Sequence, residues 1–159
     1  MPLTVRSATP ADAPALRALF LRSRRAAFGW QDRALFQRSD FDAQTQGERL
    51  WLAQDGTRTA GFIAVWEPER FIHHLHVDPR WARRGVGSAL LHALPGWGAR
   101  PYRLKCVCRN LAALAFYRAC GFAELGTGQA QDGAYVLLES RVGRRHAGGP
   151  SSAAHDTLT

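Results

Sequence analysis

Apolar and polar residues alternate along Leu3 to Ala8, the period of a half-buried strand. The pattern then changes. Thr9, Pro10 and Asp12 stand as N-cap, first helical residue and capping-box acid. Leu16, Leu19 and Phe20 recur at helical spacing, with Arg17, Arg22, Arg24 and Arg25 off that stripe, so a helix is predicted to about Ala27. Phe28 to Glu48 has weak periodicity and reads as loop with one short helix. "RLWLAQ" and "AGFIAVWE" form a predicted hairpin, with Asp55-Gly56 supplying the turn. "RFIHHLHV" is a further strand, stopped by Asp78-Pro79. A helix follows from about Gly87 to Leu94, ended by Pro95-Gly96, and then a strand, "YRLKCVC". Asn110 to Ala119 reads as a helix with Gly121 as its C-cap. A short strand is expected at Phe122 to Leu125, and a last one at Gly133 to Val142.

This order of strands and helices is that of an α/β layer, not of a bundle or a sandwich. A chain of 159 residues suits one domain, expected over residues 1–142. Residues 143–159, rich in Gly, Ser and Ala without a periodic apolar face, are expected to form a disordered tail. No apolar run approaches the roughly 20 residues of a membrane span. The first residues lack the basic-then-apolar order of a signal peptide, so a cytoplasmic location is expected. Three cysteines, Cys106, Cys108 and Cys120, do not make a disulfide framework, and Cys106-x-Cys108 has no second pair for zinc. They read as reduced core or near-core residues, and no metal is expected.

Charge is unevenly placed. Between Pro79 and Ala123 there is no Asp or Glu, while Arg80, Arg83, Arg84, Arg100, Arg103, Lys105, Arg109 and Arg118 supply eight positives, equal to the net +8 of the whole chain. Such a one-sided field favours an anionic partner. Within it lies "RWARRGVGSALL". Gly85 and Gly87 lack Cβ, so an anion could approach the backbone, and Arg83 and Arg84 would add charged donors. A dinucleotide fingerprint fails because Leu90 stands where its third Gly belongs, and the Gly-Lys-Ser/Thr of a P-loop is absent. Taken alone, the stretch serves equally as a phosphate nest and as a tight turn.

A second stretch separates these readings. "NLAALAFYRACGF", Asn110 to Phe122, has the form N-x-x-A-x-x-F-Y-x-x-x-G-F. It resembles the last motif of the GNAT superfamily of acetyl-CoA-dependent N-acyltransferases. "LHVDPRWARRGVGSALL" resembles that superfamily's cofactor motif, [Q/R]-x-x-G-x-[G/A], with Ala82 at the Gln/Arg position, and "VRSATPADAPAL" resembles its opening strand and helix. The likeness runs from about Leu3 to Val142. It implies a single mixed, mostly antiparallel sheet flanked by helices, with splayed central strands. It also implies that backbone groups at Leu75, His76 and Val77 hold the pantetheine arm, and that Arg83, Arg84, Gly85, Val86, Gly87 and Ser88 hold the pyrophosphate. Asn110 would orient the cofactor or cap its helix.

The same resemblance makes Tyr117 the proton donor to the departing thiolate, a phenol with an ordinary pKa near 10. His73, His74 and His76 crowd the strand before the loop, and alternation sends His73 one way and the other two the opposite way. In arylalkylamine members of the family a His at the position of His73 helps remove the amine proton, so His73 is the candidate base and His74 the second choice. Histidines bonded to backbone carbonyls are the competing reading. The acceptor wall is expected from Arg24 to Trp30, Trp51 and Trp66, facing a primary amine of a small molecule or a peptide. Two functions remain open at this level. One is an N-acetyltransferase acting by direct attack in a ternary complex; the other is a non-catalytic acyl-CoA-binding or regulatory module. The basic half lacks the interleaved aromatics or helix-turn-helix of a nucleic-acid binder, so neither nucleic acid nor membrane is an expected partner. Whether the chain forms a homodimer is left open.

Overall fold

The computed structural model describes residues 2–143, so the expected tail lies outside the described residues except for Gly143. The chain divides into two compact units, Met1–Leu94 and Pro95–Thr159.

The first unit holds strands β1 (Leu3–Ser7), β2 (Arg49–Asp55), β3 (Arg58–Trp66) and β4 (Phe71–Val77), in that spatial order and antiparallel throughout. Helix α1 (Ala13–Ala27) follows β1, α2 (Asp40–Gln44) precedes β2, and α3 (Val86–His92) follows β4. The turn into α1 forms as its residues dictate. The Thr9 N–H donates to the Asp12 carboxylate at 2.7 Å, and Arg6 donates to both oxygens at 2.8 and 2.9 Å. The Arg6 hydrogen bond holds Asp12 at about 2, below the usual carboxylate range. The predicted stripe of α1 is buried: Leu16, Leu19 and Phe20 pack against Phe41, Leu52, Phe62 and Ala64. Phe20 meets the rings of Phe41 and Phe62 edge-on at 6.0 Å. The off-stripe arginines tie α1 to α2 through Arg17–Asp42 and Arg24–Asp40. Helix α3 lies on β3, with Val86, Leu90 and Leu91 buried.

The second unit holds β5 (Arg103–Val107), α4 (Leu111–Ala119), β6 (Phe122–Ala130) and β7 (Gly133–Ser140), with the strands ordered β5-β7-β6 and antiparallel. The strand expected to stop near Leu125 runs on to Ala130. "GTGQA" has little strand propensity of its own, and its pairing with β7 supplies the order. Gly128, which reads as a breaker, makes room instead: a Cβ there would stand 2.5 Å from the Tyr135 hydroxyl. The register skips at Leu125, and Gly133 at φ +114° closes the hairpin. Asn110 caps α4, its side-chain oxygen accepting from the Ala113 N–H at 3.2 Å, and Gly121 at φ +95° ends the helix as expected. Cys106, Cys108 and Cys120 are free thiols, Cys106 buried and pushed up to about 11 by that burial.

Candidate active site

The loop after β4 is set at its first residue. The Asp78 N–H donates to the Ala60 carbonyl at 2.8 Å. The Asp78 carboxylate is fully buried and accepts from Arg22 Nη2 at 2.6 Å, from Arg80 Nη2 at 2.8 Å and from the Arg80 backbone N–H at 3.0 Å. Burial alone would raise its pKa. The hydrogen bonds from Arg80 and Arg22 outweigh it and hold the group far below the usual carboxylate range. One turn, Pro79–Trp81, follows, and the Trp81 indole N–H reaches Asp55 at 3.1 Å. Because the folded pKa lies below the unfolded one, this stabilisation is complete above the ordinary carboxylate range and fades as pH falls towards the folded value. Asp78→Asn is expected to lower stability by about 2 kcal/mol at neutral pH. In urea titrations the gap to wild type should close in acid; a gap independent of pH would refute this account.

Beyond that turn, Arg83 (φ +63°) and Gly85 (φ +78°) both take the left-handed conformation. A Cβ at Gly85 would meet no atom within 4 Å, so the position opens outward. Among the described residues, no protein acceptor meets the backbone N–H groups of Arg84, Gly85, Val86 and Gly87. The side chains of Arg83 and Arg84 are exposed and face no carboxylate among the described residues. A run of amides without protein acceptors, flanked by two guanidinium groups, has the chemistry to hold a phosphate or pyrophosphate. Ser88 sits half-buried on α3 and its carbonyl bonds to the His92 ring at 2.7 Å. Ala82 is exposed; the loop is shaped from Asp78, upstream of it.

On β4, Leu75, His76 and Val77 stand opposite Ile63, Phe62 and Gly61 of β3. The three histidines divide as alternation predicts, with a bulge added. Ala64 pairs with His74 and Val65 with Ile72, which leaves His73 as the extra residue. The rings of His74 and His76 lie 5.8 Å apart and both meet Phe20 edge-on, at 5.2 and 4.9 Å. His74 Nε2–H donates to the Gln44 carbonyl at 3.3 Å, and His76 Nδ1 shares a hydrogen bond with Ser23 Oγ at 2.9 Å. Burial lowers both, His74 to about 4. His74, the second choice for the base, is thus engaged with a carbonyl of α2. His73 differs: its ring is exposed and its Nδ1 bonds to the carboxylate of Glu48. Glu48 went unnoticed in the sequence, since it lies in an aperiodic loop 25 residues from its partner.

In the second unit, Tyr117 is buried with its ring edge-on to Phe116 and Phe122, each at 5.3 Å. No group among the described residues bonds its hydroxyl. Burial, with Cys106 and Cys120 nearby, raises the phenol well above the ordinary value expected from the sequence. It therefore keeps its proton across the neutral range. Asn110 uses its side-chain oxygen on α4.

The expected acceptor wall is largely committed elsewhere. Arg24 pairs with Asp40 at 3.0 Å and lies over the rings of Phe20 and Phe36, while Arg25 donates to the Phe36 carbonyl at 3.0 Å. Trp51 is core, and Trp66 is partly exposed. A cleft of about 360 Å³ opens instead beside the start of α1, lined by Thr9, Leu16, Phe41, Thr45, Glu48 and Leu50 among others. Among the described residues no cluster of His, Cys, Asp and Glu has the makings of a metal site, and no helix is long and apolar enough to cross a membrane.

The fold and these groups define an α/β protein with a loop of left-handed residues and exposed arginines after β4 and a buried phenol in α4. The chain belongs to the Acetyltransferase (GNAT) family, which matches residues 13–122 and so runs through both units. It is 34% identical over 139 residues to an aminoglycoside N(6')-acetyltransferase type 1 of Stenotrophomonas maltophilia, covering 76% of this chain and 86% of that one. It is 33% identical over 129 residues to a ribosomal protein bS18-alanine N-acetyltransferase of Escherichia coli, covering 76% and 81%. The PaiA N-acetyltransferase of Thermoplasma acidophilum, solved in complex with coenzyme A, superposes with a TM-score of 0.71 at 17% identity, over 88% of this chain and 99% of that one. The chain is an N-acetyltransferase, and its family uses acetyl-CoA.

Proposed function

We propose that this enzyme transfers acetyl from acetyl-CoA directly to a primary amine of a small molecule or peptide, in a ternary complex, with residues 1–142 acting as one catalytic domain. The observation that carries the reading is the run of backbone N–H groups from Arg84 to Gly87 that find no acceptor among the described residues, with exposed Arg83 and Arg84 beside it and Ser88 after it. Those residues bind the pyrophosphate, and backbone groups of Leu75, His76 and Val77 bind the pantetheine arm. Asn110 supports the cofactor through the start of α4. Acetyl-CoA brings a thioester whose carbonyl is open to attack by a neutral amine. His73 takes the proton that the attacking nitrogen must lose, directly or through water. Tyr117 gives its hydroxyl proton to the departing sulfur, so nitrogen loses a proton and sulfur gains one. A cytoplasmic setting suits three free thiols.

The relatives' acceptors, an aminoglycoside and an alanine of ribosomal protein bS18, frame the test. Purified enzyme is offered an aminoglycoside, an alanine-initiated peptide and a lysine peptide while free thiol is followed. Thiol release with one of them names the acceptor class; release that no amine accelerates would refute transfer to these amines. Binding is tested separately. Calorimetry should give a micromolar or tighter Kd for acetyl-CoA. Gly87→Glu, which sets a carboxylate against the bound phosphates, should weaken it at least about tenfold. An unchanged Kd in that variant would move the pyrophosphate away from this loop.

A further inference from the structure

The three histidines of β4 have three different partners. His76 has a hydroxyl, His74 has a carbonyl, and His73 alone has a carboxylate. That carboxylate belongs to Glu48, immediately before β2, and it is an unusual one. Its side chain is only 4% exposed, whereas the His73 ring is 42% exposed. Oε2 meets His73 Nδ1, and Oε1 is buried without a hydrogen-bond partner among the described residues. A buried carboxylate with one oxygen left without a protein partner is costly to keep in place. Among the described residues its hydrogen-bond partner is an imidazole, at the residue the β4 bulge pushes out of the ladder.

The chemistry of the pair follows from which atoms each group can offer. A carboxylate only accepts, so the proton between the two sits on Nδ1. This fixes the tautomer and leaves Nε2 with its lone pair on a ring that solvent reaches. A positive imidazolium is also the state that a buried negative neighbour compensates best. Phe71, with its ring centroid 4.9 Å from that of His73, restricts the imidazole further, and the His74 ring lies 6.4 Å away.

We infer that Glu48 is a positioning residue: it holds His73 with Nδ1–H towards its own carboxylate and Nε2 outward, as the acceptor of the amine's proton. This rests on the assignment of His73 as the base. When Nε2 takes a proton from the nitrogen, the imidazolium and Glu48 form an ion pair, and the proton leaves to solvent from Nε2 once the product has gone. No bond forms to Glu48 and no other reactant is needed.

Two measurements test the pair on the full chain. In 15N spectra, which need no acceptor, wild-type His73 should show one neutral tautomer, protonated at Nδ1. Glu48→Leu, which removes the acceptor, should give a mixture of both tautomers; an unchanged tautomer overturns the positioning role. In kinetics with the amine probe from the panel that turns over, Glu48→Gln keeps the shape and removes the charge, and it stands in if the Leu variant does not fold. It should lower kcat about tenfold with KM for acetyl-CoA unchanged. The double variant with His73→Ala should be no slower than His73→Ala alone. Losses that multiply in the double variant overturn the coupling. An unaffected kcat in His73→Ala removes the base assignment itself. A lowered kcat there with an intact one in Glu48→Gln overturns only the role of Glu48.

Discussion

Tyr117→Phe should lower kcat about 100-fold while leaving the Kd for acetyl-CoA within about twofold of wild type. The substitution deletes one oxygen from a ring that is otherwise held by Phe116 and Phe122, so the packing of α4 survives. The hydroxyl supports no other group among the described residues, so its loss orphans no donor or acceptor. Stability should therefore be within about 0.5 kcal/mol of wild type, as for substitutions that leave packing and hydrogen bonds in place. What disappears, under the proposed mechanism, is the proton for the departing thiolate. Burial keeps the phenol protonated throughout the neutral range, so the wild-type rate should show no loss from Tyr117 ionisation as pH rises towards 10. Stopped-flow single turnovers separate this step from product release. An unchanged single-turnover rate would take Tyr117 out of the reaction, and an equal loss in kcat and in acetyl-CoA binding would make it a packing residue.

What was legible in the chain follows from how local each cause is. Helix α1 ends at Ala27 as expected because its start is written in Thr9 to Asp12 and its face in Leu16, Leu19 and Phe20. The αL turn at Gly85 and the cap at Asn110 are likewise short-range events. Strand β6 was read too short because Gly126 and Gly128 weaken the local signal, and only register with β7 explains why Gly128 faces Tyr135. The arginines expected to face an acceptor, Arg24 and Arg25, found Asp40 and the Phe36 carbonyl after the chain turned back. Glu48 is the sharpest case. Nothing around it marks it, and its proposed role depends on a bulge at His73 that exists only in the pairing of β3 with β4.

Glycine substitutions separate two reasons for the same residue type, and Gly61→Ala should be much the more damaging of the pair. Gly61 lies in β3 beneath α3. A Cβ there would stand 2.8 Å from the His76 carbonyl oxygen and 2.8 Å from Val86 Cγ1, with Leu90 Cδ1 at 3.3 Å. The first is strand backbone and the second a β-branched side chain at the start of α3, so neither can swing aside. The helix must retreat from the sheet, at a cost of about 2 to 3 kcal/mol for an overpacked core. Because Val86 also belongs to the run of backbone amides proposed to hold the pyrophosphate, acetyl-CoA affinity should fall with stability. Gly85→Ala meets no atom within 4 Å and strains only the backbone at φ +78°, about 1 kcal/mol. Urea titrations at constant m-value and calorimetry on both variants give the comparison. If Gly61→Ala is as stable as wild type, α3 is not seated through this contact. If it is destabilised but binds acetyl-CoA unchanged, the loop holds its shape without the helix behind it.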